Sequence, residues 1–492
     1  MHLKSLFSAS IIVAAGTLAG RLLGLLREML LASQFGVGSS ADMAIVLLII
    51  PDFITSALIL GPAGATLIPA FAARDHRRIL ALFWQALLAG TAAFIVIALL
   101  LFLQVDHLSA LMNPDVAALP HVTFAFFLAM CSLPMSAATS ILTAYLQYRG
   151  RFVAPAFANA VFNVIIILTL WFAPAGLAVF AVGILVAGLV RLLAHIGSFL
   201  RAGDTFSKPE FSPWELRAPI LKTYGITAAS SIFNVLPFYA PYMVIAYMGS
   251  SVALFNYAFK LVLLPGLLFQ SLVQMVLLPW LVRIRSGSDT INSHALTLQL
   301  CWIVSWVTTL SLSLVGPSLA MLCFGYGKMT AEDIAQVGGL FSIGVWAMPG
   351  MVLTSVRQQI LYANERTGAA LVSSALQAVL VIPLCWLGER FIGTSGVLAA
   401  YVVLQLFPVC ILAREGHKRG LSHGLFPSWN YGRMTLAATV VLLPLAWVAQ
   451  WFVLGALANV VVAMLIGLVS LGAGLLFCEP LKTWALQQVK RA

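Results

Sequence analysis

The chain has 492 residues, 61% of them hydrophobic and only 9% charged, with a formal net charge of +11. Soluble domains carry about a quarter of their residues as Asp, Glu, Lys or Arg, so this composition excludes a soluble enzyme and indicates a membrane protein. The apolar stretches are continuous rather than alternating, which excludes a transmembrane barrel and leaves a bundle of helices.

In chain order, apolar runs of about 20 residues predict about fourteen spans. They lie near 8–33, 42–72, 80–104, 120–146, 153–173, 175–200, 219–247, 252–282, 296–323, 334–362, 368–387, 393–413, 434–453 and 456–477. The first holds Arg21, Arg27 and Glu28 at membrane depth. Charges there are costly and usually face a bundle interior or a watery cavity on a substrate path. Arg21 and Glu28 share nearly one helix face, about 10 Å apart along the axis, and Arg27 points away from them. Gly16, Gly20 and Gly24 recur every four residues on the same span, a spacing that lets helices approach closely. It reads either as packing or as a sliding surface.

Span two begins after Gly38-Ser39-Ser40, carries Asp42 and Asp52, and is interrupted by Pro51 and Pro62. Asp42 either caps a helix or pairs with a cation. The very short link between spans five and six makes them a tight hairpin, as does the link between the last two. Arg191, near the inner end of span six, reads as a snorkelling side chain. A proline-bearing segment at 203–218 suits an inter-lobe linker, with an amphipathic stretch at Trp214–Leu221. Lys260 in span eight either snorkels or adds a cation to the cavity, and Arg357 in span ten has the same two readings. Arg21, Arg27, Lys260 and Arg357 thus face little acid, a balance that suits an anionic, diphosphate-bearing substrate.

The chain also repeats itself. Gly38/Gly249, Pro51/Pro265, Pro69/Pro279, Arg74/Arg283 and Tyr148/Tyr362 match at offsets of 209 to 214 residues. This predicts an all-α polytopic protein of two six-helix lobes in parallel pseudo-twofold repeat, plus a C-terminal helix pair. The implied boundaries are an N-terminal lobe at 1–202, a cytoplasmic linker at 203–218, a C-terminal lobe at 219–415, a cytoplasmic loop at 416–433, and a hairpin with a cytoplasmic tail at 434–492. With both termini inside, twenty of the 27 Lys and Arg fall in inner loops and two in outer ones, as the positive-inside rule requires. The net charge is then a topology signal and an attraction to anionic phospholipid, and no nucleic-acid partner is expected. No cleavable signal peptide is expected either. Walker A, GxSxG and HExxH motifs are absent from the sequence, and the six cysteines show no CxxC spacing. A transporter without catalytic residues, cofactor or metal is expected.

The block Arg21-x-x-Gly24-x-x-Arg27-Glu28, Phe35-Gly36-x-Gly38, Asp42, Pro51, Gly61 and Ile68-Pro69 resembles the MviN/MurJ family within the multidrug/oligosaccharidyl-lipid/polysaccharide exporter superfamily. Tyr257-Ala-Phe-Lys260-Leu and Phe324-Gly325-Tyr326-Gly327-Lys328 add to the resemblance. It implies a central cationic cavity in which Arg21, Arg27, Glu28, Asp42 and Lys260 match charged family positions. It also implies alternating-access transfer of an undecaprenyl-diphosphate-linked saccharide such as lipid II from the inner to the outer leaflet. Membrane potential or a coupling ion (Na+ or H+) would drive the transfer, and the last two spans would hold the lipid tail. Contact with cell-envelope glycan synthases is a further expectation. The chain departs from the family at Thr55-Ser56 and Leu60, where an arginine and then an acidic residue are usual. This keeps open an exopolysaccharide or O-antigen repeat unit as cargo, and beyond that an ion-coupled drug or metabolite antiporter.

Overall fold

The structure is a computed structural model that describes residues 3–107, 116, 119–173, 176–201, 213–273, 290–364, 368–420, 430–449 and 455–476. The chain divides into two compact units, Met1–Ala253 and Leu254–Ala492. Twelve helices among the described residues are long and apolar enough to cross a membrane, and the pair Ala331–Gly344 and Ala347–Ala363, bent by 41°, forms a thirteenth. With α1 (Leu3–Phe35), whose three intramembrane charges set it apart, these match the fourteen expected spans.

In the first unit, α1 is followed by α2 (Ser39–Thr55), a π-helical turn at Ser56–Leu60, and α3 (Gly61–Ala72), which together make span two. Next come α4 (His76–Phe102), then α5 (Val122–Met130) and α6 (Ser132–Tyr148), which together make span four. The hairpin α7 (Val153–Phe172) and α8 (Leu177–Leu200) follows, and then α9 (Ala218–Tyr247). Helix α4 starts sharply because the Asp75 carboxylate accepts the backbone N–H of Arg78 at 3.0 Å, an N-cap that satisfies one of the helix's orphan donors. Helix α7 packs on both α1 and α8, α6 packs on α3, α4 and α8, and α9 lies along α3 and the π turn. Aromatic rings fill the space between α3, α4, α6 and α8: Phe83 stacks on Phe199 at 5.4 Å, and Tyr145 touches both. Helix α9, which the repeat assigns to the second lobe, groups with this first unit.

The second unit contains α10 (Val252–Leu272), which starts at the unit boundary, α11 (Thr290–Leu314), α12 (Gly316–Phe324), α13 (Ala331–Gly344), α14 (Ala347–Ala363), α15 (Gly368–Ile392), α16 (Thr394–Leu404), α17 (Leu406–Lys418), α18 (Asn430–Ala449) and α19 (Ala456–Leu475). Span nine, expected as one helix, breaks before Pro317, which cannot donate to the helical ladder. The break lets Gly316 meet Gly338 of α13 so closely that a Cβ on Gly316 would lie 2.7 Å from the Gly338 carbonyl oxygen. Thr330 and Asp333 form a reciprocal capping box at the start of α13. The terminal pair α18–α19 packs on α11, held by Trp302 and Trp306 donating to Thr435 and Thr439 at 2.8 and 3.1 Å. The repeat matches at Pro279 and Arg283 lie outside the described residues. Those at Gly38 and Gly249 coincide in structure: both have positive φ (140° and 76°), and each stands just before a helix.

Candidate functional site

Helix α1 lies against α7 through its glycine row. A Cβ on Gly16 would sit 2.4 Å from the Ala156 carbonyl oxygen, and one on Gly20 would sit 3.1 Å from Asn159 Cβ. This is the packing reading of the row. Only glycine brings the backbones close enough for Asn163 of α7 to donate from Nδ2 to the Gly20 carbonyl at 3.0 Å.

The same asparagine anchors the charges. Arg27 Nη1 donates to Asn163 Oδ1 at 2.9 Å, and Arg27 Nη2 donates to Glu28 Oε1 at 2.5 Å. Glu28 is 2% exposed. Although successive helix residues point about 100° apart, the long arginine side chain wraps back to its neighbour. Arg27 and Glu28 are therefore a buried, hydrogen-bonded ion pair. Arg21, the residue after Gly20, is half-buried. Asn163 was missed from sequence; the available signal was a pair of amides, Asn159 and Asn163, one helix turn apart in an otherwise apolar span.

Span two is irregular where the family charges are absent. Pro62 has no N–H, so the helical donor to the Leu58 carbonyl, four residues back, is missing. The chain widens into the π turn, and the Tyr224 hydroxyl of α9 donates to that carbonyl instead. Thr55 ends α2, Ser56 opens the turn, and Leu60 closes it at 55% exposure. π turns inside α-helices frequently sit at functional positions. One helical turn earlier, Asp52 accepts a hydrogen bond from the Tyr239 hydroxyl at 2.6 Å.

Asp42 is a cap, but not of its own helix. It is buried, and its Oδ1 accepts the backbone N–H of Ala253 at 2.6 Å and the Ser251 hydroxyl at 3.1 Å. It thus fills the orphan donors at the start of α10 from 209 to 211 residues away in sequence. The linker is also fastened. Arg74 Nε donates to the buried Glu215 carboxylate at 2.8 Å. Gln85 accepts from the N–H groups of Glu215 and Leu216 and donates to the Pro213 carbonyl. The stretch expected to be amphipathic, Trp214–Leu221, is irregular through Arg217, and the helix begins at Ala218.

Lys260 and Arg357 belong to the second unit, on α10 and α14 respectively. Lys260 is half-buried and follows the buried run Phe255–Phe259. Arg357 is 3% exposed, which leaves no room for snorkelling to an interface. Arg191 corrects the expectation made for it. It is held inside the first unit, with Nη2 donating to Ser136 Oγ at 2.6 Å and its guanidinium 4.9 Å from the Phe162 ring centroid, an arrangement in which a snorkelling chain would not be found. The five described cysteines are free thiols.

A charged, internally paired first helix, a second span interrupted by a π turn and a terminal helix pair are thus set out in the structure. Residues 31–470 match the family profile described as lipid II flippase MurJ. The chain belongs to the MurJ lipid II flippase family. Among its relatives, a probable lipid II flippase MurJ of Vibrio cholerae is 24% identical over 95% of this chain and 94% of its own length. One from Aquifex aeolicus is 23% identical over 77% of each. Among solved structures, the inward closed conformation of the lipid II flippase MurJ superposes with a TM-score of 0.79 at 16% identity, covering 94% of this chain and 98% of that one. An inward-facing multidrug-resistance MATE transporter of the MOP superfamily gives 0.66 at 12% identity, covering 84% and 98%. At these identities the structural likeness is one of fold. A MurJ-family protein is a transporter rather than an enzyme, and the many apolar helices make this one a multi-pass membrane protein.

Proposed function

We propose that this protein moves an undecaprenyl-diphosphate-linked saccharide of the lipid II type from the inner to the outer leaflet of the cytoplasmic membrane by alternating access. Both termini would be cytoplasmic, and membrane potential or a bound Na+ or H+ would drive the step. The observation that carries the reading is the charged cluster Arg21, Arg27 and Glu28 on α1, at membrane depth, in a chain of this family. Arginine suits a diphosphate because its planar fork donates two parallel hydrogen bonds. Arg21 is the group on α1 that we assign to the head group, with Glu28 and Asn163 holding Arg27 as a fixed positive neighbour. Asp42 positions the start of α10, the helix that carries Lys260, and Lys260 and Arg357 supply further positive charge.

The test is replacement of the resident flippase in cells depleted of their own lipid II flippase. Restored growth by the wild type and loss of growth with Arg21→Ala at equal membrane abundance are expected. Failure of the wild type to restore growth, with the protein present in the membrane, would contradict lipid II as cargo.

A second reading, an exopolysaccharide or O-antigen repeat unit as cargo, is favoured by one feature. The positions where the family usually carries an arginine and an acid are here Thr55, Ser56 and Leu60, placed on or beside the π turn. Rescue of a repeat-unit flippase deletion, and not of the lipid II depletion, would select it.

A further inference from the structure

The first unit holds a second basic site, away from the charges of α1. A cleft of about 1040 Å³ opens between the start of α7 and the end of α8, with Ile12 of α1 at its edge. Arg151, Arg191, His195 and Arg201 line it, and Phe157 and Val161 give it an apolar wall. None of its described lining residues is acidic. On an α-helix, Arg191 and His195 stand one turn apart on one face, and Arg201 lies about 15 Å further along the axis from Arg191. The arginines therefore run from the mouth of the cleft to its depth.

Two buried polar atoms in this group have no hydrogen-bond partner. One is Nε2 of His195, a residue only 1% exposed, and the other is Nε of Arg191. The opposite edge of the imidazole is taken: Nδ1 lies 2.8 Å from the Arg191 carbonyl, so Nδ1 carries the proton and Nε2 is left as an acceptor. Arg191 spends one nitrogen on the Ser136 hydroxyl. Asp52 is within electrostatic reach of Arg191 but already accepts from Tyr239. At the mouth, Arg151 Nη2 donates to the Arg201 carbonyl at 3.2 Å, which ties the two helix ends together and keeps both arginines beside the opening. Buried polar groups are nearly always satisfied, and exceptions mark an unfilled requirement. Several guanidinium donors around an open space, with an apolar wall beside them, match an ionised phosphate attached to a hydrocarbon.

We propose that this cleft binds an anionic phospholipid of the leaflet next to the basic loops. Its phosphate reaches toward Arg191 between Arg151 and Arg201, and one acyl chain lies along Phe157 and Val161. The site is independent of the transported lipid, because it shares no residue with the cluster on α1.

Native mass spectrometry of the full chain in neutral detergent tests this, with phosphatidylglycerol and phosphatidylcholine offered at equal concentration. The wild type should retain phosphatidylglycerol at least tenfold better. Arg191→Gln should bring the preference to within twofold, and Arg191→Lys should restore part of it. The exposed Arg151→Gln, which cannot disturb a core, should weaken it about threefold. Arg390→Gln, an exposed arginine in the second unit, should leave it intact. Equal retention of the two lipids by the wild type, or an undiminished preference in both Arg151→Gln and Arg191→Gln, would overturn the proposal. Displacement of phosphatidylglycerol by millimolar inorganic phosphate would overturn the lipid assignment in favour of a free anion.

Discussion

Two arginines of the first unit, both in membrane spans, have opposite surroundings. Arg27 is met by a carboxylate at 2.5 Å and an amide oxygen at 2.9 Å, supplied by its own helix and by α7. Arg191 has a hydroxyl, an aromatic face and an open cleft. The first has its charge balanced by a carboxylate within the protein, although its Nε, like that of Arg191, has no hydrogen-bond partner. The second is a charge whose full complement lies outside it. Burying an ion is worth several kcal/mol of penalty, and a neutral hydroxyl with a ring offsets only about 1–3 kcal/mol of that. Membrane depth alone therefore does not tell a structural arginine from a ligand-binding one; the groups that face it do.

The largest way to break this contrast is Glu28→Ala. It leaves Arg27 uncompensated and should destabilise the protein by about 3–5 kcal/mol, read as the midpoint of thermal unfolding in mild detergent. A double variant that also carries Arg27→Ala should recover part of the loss. Asn163→Leu removes a hydrogen bond to a charged group and the tie to Gly20, for about 1.5–3 kcal/mol. Gly16→Val drives a side chain into the Ala156 carbonyl and should cost about 1–3 kcal/mol. Gly24→Ala should be near neutral, because its Cβ would meet Asn163 Nδ2 at an ordinary 3.5 Å. At the small end, Arg191→Gln in lipid-free detergent should change stability by less than about 1 kcal/mol, because the penalty of an incompletely paired charge disappears with it. An unfolding midpoint lowered as far by Arg191→Gln as by Glu28→Ala would erase the distinction between the two arginines.

Much of this was legible from sequence where the cause is local. Continuous apolar runs located the spans, and the four-residue glycine row identified the close face of α1. Pro62 marked the irregular stretch of span two, which is a π turn in an otherwise continuous helix. What could not be read is what lies opposite. Nothing near Pro62 names Tyr224 as the donor that takes up the released carbonyl, and nothing near Asp42 says that it caps a helix more than 200 residues on. Helix periodicity turned Arg27 away from Glu28, yet Arg27 reaches it, because side-chain length and the amide on α7 outweigh the angle between neighbours. Arg191 was read as snorkelling by its nearness to an inner loop. Its hydroxyl and aromatic partners come from α6 and α7, and only the fold brings them there.

Transfer across a bilayer by the purified protein tests the central claim most directly. The wild type would be reconstituted into liposomes carrying fluorescent lipid II, and the fraction of label reachable by an external reagent followed with time. Protein-dependent transfer that is lost in Arg21→Ala and kept in Arg390→Gln is expected. Transfer no faster than in protein-free liposomes, or equal transfer by Arg21→Ala and the wild type, would contradict it.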